Sequence, residues 1–309
     1  MKKLIPILMI LLLVACVPAA EEEVEGLHIV TASFPLYDFA RELVGEDARV
    51  EILLPPGSEV HSYEITPGDI KKVTGSDLFL YIGGSSDTWI NNMVDASELE
   101  EKQSLRLMDV VDLYKEEESQ SMVEEEDDHA DHEEEYDEHI WLSFENSKRM
   151  VEAIAKAMGE LDLEEKDNYI KRAREYNEKI EALEDEYLSM VSSAKRKEII
   201  VGDRFPFLYL VKSLGISYDA AYPGCSAHVE ENAQAIKGLI DRVEEEDIPV
   251  VFYIEMSRGT IADRIAEATG AKKRMLHSVQ NITKEEMQAG EGYLSLMEKN
   301  LAALEEALN

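Results

Sequence analysis

Cysteine is almost missing from this chain. Only Cys16 and Cys225 occur in 309 residues. So few thiols exclude a thiolate metal cluster, which argues against copper(I) and iron–sulfur centres. Basic charge is also scarce. Lys and Arg number 31 against 66 Asp and Glu, for a net charge of −35. Phosphate binding needs a basic face, so this acid excess argues against nucleic acid as a partner. Catalytic signatures are absent too. There is no His-Glu-x-x-His helix and no Gly-x-Ser-x-Gly elbow.

The one long apolar run, Leu4 to Val14, follows Met1-Lys2-Lys3 and is too short to span a bilayer. It has the shape of a signal peptide over residues 1–15. Leu13-Val14-Ala15-Cys16 resembles a lipobox. That resemblance implies cleavage before Cys16, lipid on its sulfur, and a protein held at the outer face of the cytoplasmic membrane or in the periplasm. Residues 16–26 then read as a tether. With Cys16 lipidated, Cys225 has no partner for an internal disulfide, and it reads as a small buried residue.

What the chain has in abundance is acid, concentrated in one stretch. Glu116 to Glu138 holds fourteen Asp/Glu, two His (His129 and His132), and no Lys or Arg. Such a run has almost nothing to bury and repels itself, so residues 116–138 are expected to be a solvated, disordered loop. Its mixture of imidazole and carboxylate makes weak divalent-cation sites at His129 and His132. It ends abruptly at His139-Ile140-Trp141, where apolar patterning resumes.

On either side the pattern alternates strand and helix. Strands are predicted at 28–33, 50–54, 77–82 and 105–110, with helices from Pro35 to near Gly45, from Thr66-Pro67, and from Trp89 to Met93. Thr66 is the expected cap, with Pro67 in the first helical position. An amphipathic helix over 143–159 precedes a long one over 163–194, with an Asp162/Glu165 capping box. Its small or apolar residues Tyr169, Ala173, Tyr176, Ile180, Leu183, Tyr187 and Met190 fall every third or fourth position. This stripe suits either a coiled-coil dimer seam or burial against two flanking lobes. A second alternation follows, with strands at 198–201, 216–221, 250–254 and 274–276 and helices at 205–214, 232–243, 260–269 and 293–308. The fold class is therefore α/β, two lobes with mostly parallel sheets joined by one long helix. Residues 27–142 form the first lobe, 143–195 the connecting helices and 196–309 the second lobe.

His61, His139, His228 and His277 each follow a predicted strand or turn, two in each half. Ligands bind beyond the carboxyl ends of strands in such sheets. Four imidazoles converging there would make a tetrahedral nitrogen site, and each alone is also consistent with an ordinary loop histidine.

VTASFPLYDFARELVG, LLPPGSEVHSYEITPGDIKKV and DLFLYIGGSSDTWINNM resemble the metal-specific solute-binding proteins of zinc and manganese ABC importers. The specific patterns are Pro-Gly-x-x-x-His-x-Tyr and the passage from acidic loop to His-x-Trp. The resemblance runs from about residue 27 to the end. It implies two lobes bridged by a rigid helix, a metal between them, and delivery to a membrane permease and its ATPase. It matches His61 to the first ligand, His139 to the second and His277 to the fourth. The third register is occupied by Gly202, which cannot bind; Asp203, one place away, and His228 are the candidates for that arm. Glu230 and Glu255 are alternates or partners of an imidazole. Arg204 beside Asp203 could claim its carboxylate. So nitrogen-rich a set suits Zn2+, with Mn2+ or iron as alternatives. The expectation is a monomeric, non-enzymatic zinc receptor. Other readings are a lipid-anchored zinc hydrolase with Glu255 as base, and an adhesin or extracellular metal buffer.

Overall fold

The structure is a computed structural model. It describes residues 26–45, 48–58, 63–84, 103–117, 135–222 and 232–309, together with residues 90, 93, 94 and 99. Strands β1 (His28–Thr31), β2 (Arg49–Ile52), β3 (Leu78–Tyr81) and β4 (Ser104–Arg106) form one parallel sheet in the order β2-β1-β3-β4. Strands β5 (Glu198–Val201), β6 (Ser217–Ala220), β7 (Val250–Tyr253) and β8 (Lys272–Met275) form a second, in the equivalent order β6-β5-β7-β8. All six pairings are parallel. Ile29, Val30, Leu78, Phe79 and Leu80 in the first sheet, and Ile199, Ile200, Val201, Val250, Val251 and Phe252 in the second, are almost fully buried. That is what helices on both faces require.

Among the described residues, the first half carries helices α1 (Phe34–Leu43) and α2 (Pro67–Thr74), and Ile90, Met93 and Val94, in the stretch where a helix is predicted from Trp89, are helical. Thr66 accepts from the Asp69 N–H and Asp69 reaches back to the Thr66 N–H, a complete capping box with Pro67 at the first turn. The predicted strand over 105–110 is shorter than expected. After Arg106 the backbone tightens into a 3-10 turn, Leu107–Val110.

Helices α3 (Phe144–Leu161) and α4 (Lys166–Ser193) join the halves. At 1.5 Å per residue α4 is about 42 Å long. Every residue of its expected stripe is buried, from Tyr169 to Met190. The stripe packs within the chain. Tyr176 donates to Asp38 of α1 (3.1 Å), and the Tyr187 ring meets Phe144 of α3. The stripe is thus buried within the chain, against the elements of the two lobes. Asp162 accepts from the N–H groups of Glu164 and Glu165, but Glu165 does not complete the box. Its carboxylate takes the Asn168 amide instead.

In the second half, α5 spans Leu208–Leu214, α6 Ala233–Glu245, α7 Thr260–Thr269, α8 Lys284–Ala289 and α9 Tyr293–Leu308. Helix α5 begins three residues later than the pattern predicts, because Pro206 keeps Phe205 out of the helical region. Helix α8, with its Thr283/Glu286 capping box, was not expected from the sequence.

Asp38 ties these parts together. It is 1% exposed, and Oδ2 accepts from the Tyr293 N–H at the start of α9 and from Tyr176 of α4, while Oδ1 meets Arg41. Burial raises its pKa despite these donors. One carboxylate thus joins α1, the long helix and the last helix.

Candidate metal centre

Parallel sheets present their strand ends, and the loops leaving them, to a common crevice. Three of the expected site residues lie two positions past a strand of the second sheet. Asp203 follows β5, Glu255 follows β7 and His277 follows β8. His139 comes from the first half, immediately before a 3-10 turn, Ile140–Leu142.

His139 is 3% exposed. Asp137 Oδ1 accepts from its backbone N–H (2.8 Å) and lies 3.0 Å from its Nδ1. Trp141, two residues on, packs its ring edge-on at 5.3 Å from the His139 ring and donates Nε1–H to the Ser278 carbonyl of the second half at 2.8 Å. Its own carbonyl accepts from Ser147 and Tyr293. The His-x-Trp turn is therefore fixed on several sides.

The expected disordered loop over 116–138 is corrected at both ends. Lys115 and Tyr136 form an antiparallel bridge, and Glu116 N–H donates to Glu135 O. Asp137 and Glu138 are 2% and 8% exposed. The physical reason is that the two stems satisfy each other's backbone and are pinned by α5. Tyr209 donates to the Asp137 carbonyl, and Lys212 pairs with Glu117 at 2.6 Å and lies over the Tyr114 ring. Burial and the neighbouring carboxylates of Asp137 and Glu135 raise the Glu116 pKa.

His277 is held differently. Its N–H donates to Asn300 Oδ1 and its carbonyl accepts from Asn300 Nδ2, so the residue is stitched to α9. Nδ1 accepts the Val279 N–H at 2.9 Å. Nε2 is buried, makes no hydrogen bond, and lies 3.7 Å from Glu286 Oε1 of α8. Burial opposes the imidazolium, but Glu255 and Glu286 outweigh it and the pKa is raised. An Nδ1 that accepts a hydrogen bond describes the neutral ring with hydrogen on Nε2. Ligation through Nε2 would require that proton to leave.

Glu255 accepts from both the N–H and the hydroxyl of Ser278. It anchors a loop in which Val279 has φ of 61°. A β-branched residue held in the left-handed region stores strain of about 1–3 kcal/mol, which the surrounding contacts must outweigh. Those contacts cross to the first half. Phe34 N–H donates to Gln280 O, Gly57 N–H to Ile282 O, and Asn281 Nδ2 to both Pro55 O and Ser58 O. Ser58 is three residues before His61. The Asp203 carboxylate is claimed by the Ser257 hydroxyl and the Arg204 backbone N–H.

His61, His228, Glu230, His129, His132, Cys225 and the lipobox Cys16 lie outside the described residues. Among the described residues, no group of three or more His, Cys, Asp or Glu is placed to hold a metal. Asp137 and Asn281 were not singled out in the sequence. Asp137 is one acid among fourteen there, and only its position two residues before His139 could have marked it.

Two parallel α/β lobes, a stiff helix behind them and imidazoles beside the loops that bridge them are the parts of a two-lobed solute receptor. The family model for the periplasmic zinc-uptake complex component A, ZnuA, matches residues 29–307, and the chain belongs to that family. The zinc-binding lipoprotein AdcA of Streptococcus pneumoniae serotype 4 is 30% identical over 300 residues, 96% of this chain and 58% of AdcA. The chain thus spans little more than half of AdcA's length. The high-affinity zinc uptake system protein ZnuA of Bacillus subtilis is 30% identical over 294 residues, covering 94% of this chain and 90% of that protein. Among solved structures, the metal-dependent lipoprotein YcdH of Bacillus subtilis superposes with a TM-score of 0.75 at 28% identity, covering 91% of this chain and 99% of that one. The Zn(II)-bound ZnuA-like domain of Streptococcus pneumoniae AdcA gives 0.74 at 27%, covering 92% and 99%. The laminin-binding protein Lmb of Streptococcus agalactiae, 24% identical at 0.75, covering 92% of this chain and 100% of Lmb, shares the fold.

Proposed function

We propose that this protein is an extracytoplasmic receptor that captures Zn2+ between its lobes and passes it to the permease and ATPase of an ABC importer. The observation that carries this reading is His139, buried beside the loop that bridges the two halves with its ring against a carboxylate. An imidazole so placed is a metal ligand in waiting, since ligating histidines commonly give their other nitrogen to a carboxylate. Membership of the zinc-uptake family supports the same cargo.

His61 and His139 supply two arms in this reading. The others come from His228, Asp203 and His277, with Glu230 as an alternate. His277 joins only by moving its ring proton from Nε2 to Nδ1 and releasing Val279. Asp203 can join while its carboxylate still accepts from Ser257, since ligating carboxylates are themselves hydrogen-bonded. Imidazole predominates in either set, which favours zinc over manganese. Lipid on Cys16 holds the receptor at the membrane.

The protein acts as a receptor and does not turn over substrate. Glu255, the one base considered for a hydrolase, is engaged with Ser278 through both oxygens and would have to abandon the strained loop to serve. The test is metal analysis of the purified protein against His61→Ala and His139→Ala. The native chain is expected to retain one tight zinc after dialysis, and each variant to lose it. Retention of tight zinc by both variants would overturn the proposed centre.

A further inference from the structure

We propose that Asp137 is a positioning residue of the metal centre: its carboxylate, held in place from the opposite half by Tyr209, presets His139 in its metal-binding tautomer. This rests on His139 being a ligand.

Asp137 Oδ1 faces two nitrogens of His139, the backbone N at 2.8 Å and Nδ1 at 3.0 Å. A carboxylate only accepts. The ring proton therefore sits on Nδ1, and the lone pair on Nε2. That is the form a cation needs. Both residues are almost wholly buried, 2% and 3% exposed, so water competes little for the contact.

The carboxylate is in turn anchored through its backbone. Asp137 N–H donates to Tyr114 O at 2.9 Å, and its carbonyl accepts from the Tyr209 hydroxyl at 3.0 Å. That hydroxyl accepts the Tyr114 N–H, also at 3.0 Å. Tyr209 belongs to α5 and packs its ring against Tyr114 at 5.1 Å. One tyrosine of the second half thus closes a three-membered clasp around the segment that carries the carboxylate. His277 shows the contrast. Its Nδ1 accepts a backbone N–H, so its lone pair is already in use. Of the two candidate histidines among the described residues, His139 has its ring proton placed for binding.

A purely structural Asp137 would cap the turn before Ile140 and do nothing to the ring. Nitrogen-15 NMR of the metal-free protein separates the two roles, because it reads the His139 tautomer directly. The native chain is expected to show Nδ1–H alone. Asp137→Ala should show a mixture of tautomers, with zinc affinity about 10- to 100-fold weaker. Asp137→Asn keeps an acceptor without the charge, so it should retain the tautomer and still bind zinc several-fold more weakly. Tyr209→Phe should weaken zinc binding less than Asp137→Ala does. An Asp137→Ala protein with the native tautomer and native affinity would overturn the proposal. If that variant does not fold, Asp137→Asn decides it, and native zinc affinity there overturns it. Should His139→Ala keep its tight zinc, the ligand reading fails, while the tautomer measurement still stands on its own.

Discussion

Glu286 shows how a single residue of α8 can make the molecule sensitive to acid. The His277 ring, together with the Thr283 hydroxyl and N–H, holds its carboxyl down to about 2, below the ordinary 4.5. An acid with a depressed pKa adds stability that is complete above its unfolded value and disappears as pH falls toward the folded one. Its contribution should therefore be whole above 4.5 and fade down to about 2. His277 runs the other way. Its raised pKa adds stability that is complete below 6.5 and is lost as pH rises through the folded value. The two are jointly strongest between 4.5 and 6.5. Urea unfolding of the metal-free protein should show native and Glu286→Gln chains differing most in that window and converging near pH 2. A difference that stays constant across the range would count against the pairing. Zinc at His277, if it binds there, would have to displace the same proton that Glu286 favours.

Among the elements, the long helix α4 was the most legible, since its buried stripe is a spacing and spacing is written in the residues. Ile180 lies mid-stripe and is fully buried. Truncating it to Ala should cost about 2–5 kcal/mol, the usual range for a large core deletion. Denaturant unfolding would measure this, with the chain's sedimentation unchanged because the stripe is spent internally. An equally stable variant would mean that the seam is looser than its burial indicates. The parallel strands were legible for the same reason, as short apolar runs between turn signals. Helix starts were less so, because Pro206 delays α5 and Glu165 prefers Asn168 to its own cap. The site was half legible. His139 stood out where an acidic run met an apolar one, but the value of Asp137 lies in burial, which charge pattern hides. The Tyr209 clasp joins residues 72 positions apart, a distance no local pattern records. Helix α8 was missed although Thr283 and Glu286 carry the capping-box spacing, because only six residues follow that signal before Gly290 ends them.

At the scale of the whole molecule, the acidic stretch and the two halves meet at one place. The stems at Lys115–Glu117 and Glu135–Asp137 run antiparallel, and α5 holds both of them through Tyr209 and Lys212. The described stems are thus built into the fold, and the sequence between them, residues 118–134, carries nine Asp/Glu and two His with no Lys or Arg. Fixed negative charge beside a site raises the local cation concentration and speeds capture, an effect that added salt screens. It does not by itself deepen the site. Because paired stems can be closed by a short turn, residues 118–134 can be replaced with a glycine-rich linker while Asp137 and the clasp stay intact. The shortened protein should keep one tight zinc with unchanged Kd. It should bind fewer ions at zinc excess and associate more slowly at low ionic strength, with the two proteins converging at high salt. Calorimetry and stopped-flow competition with a zinc dye would measure these. Loss of the tight ion would instead assign a ligand to the excised stretch, with His129 and His132 as its two imidazoles. A wider deletion that removed Asp137 would confuse the two outcomes, since it would take the partner of His139 away with the charge.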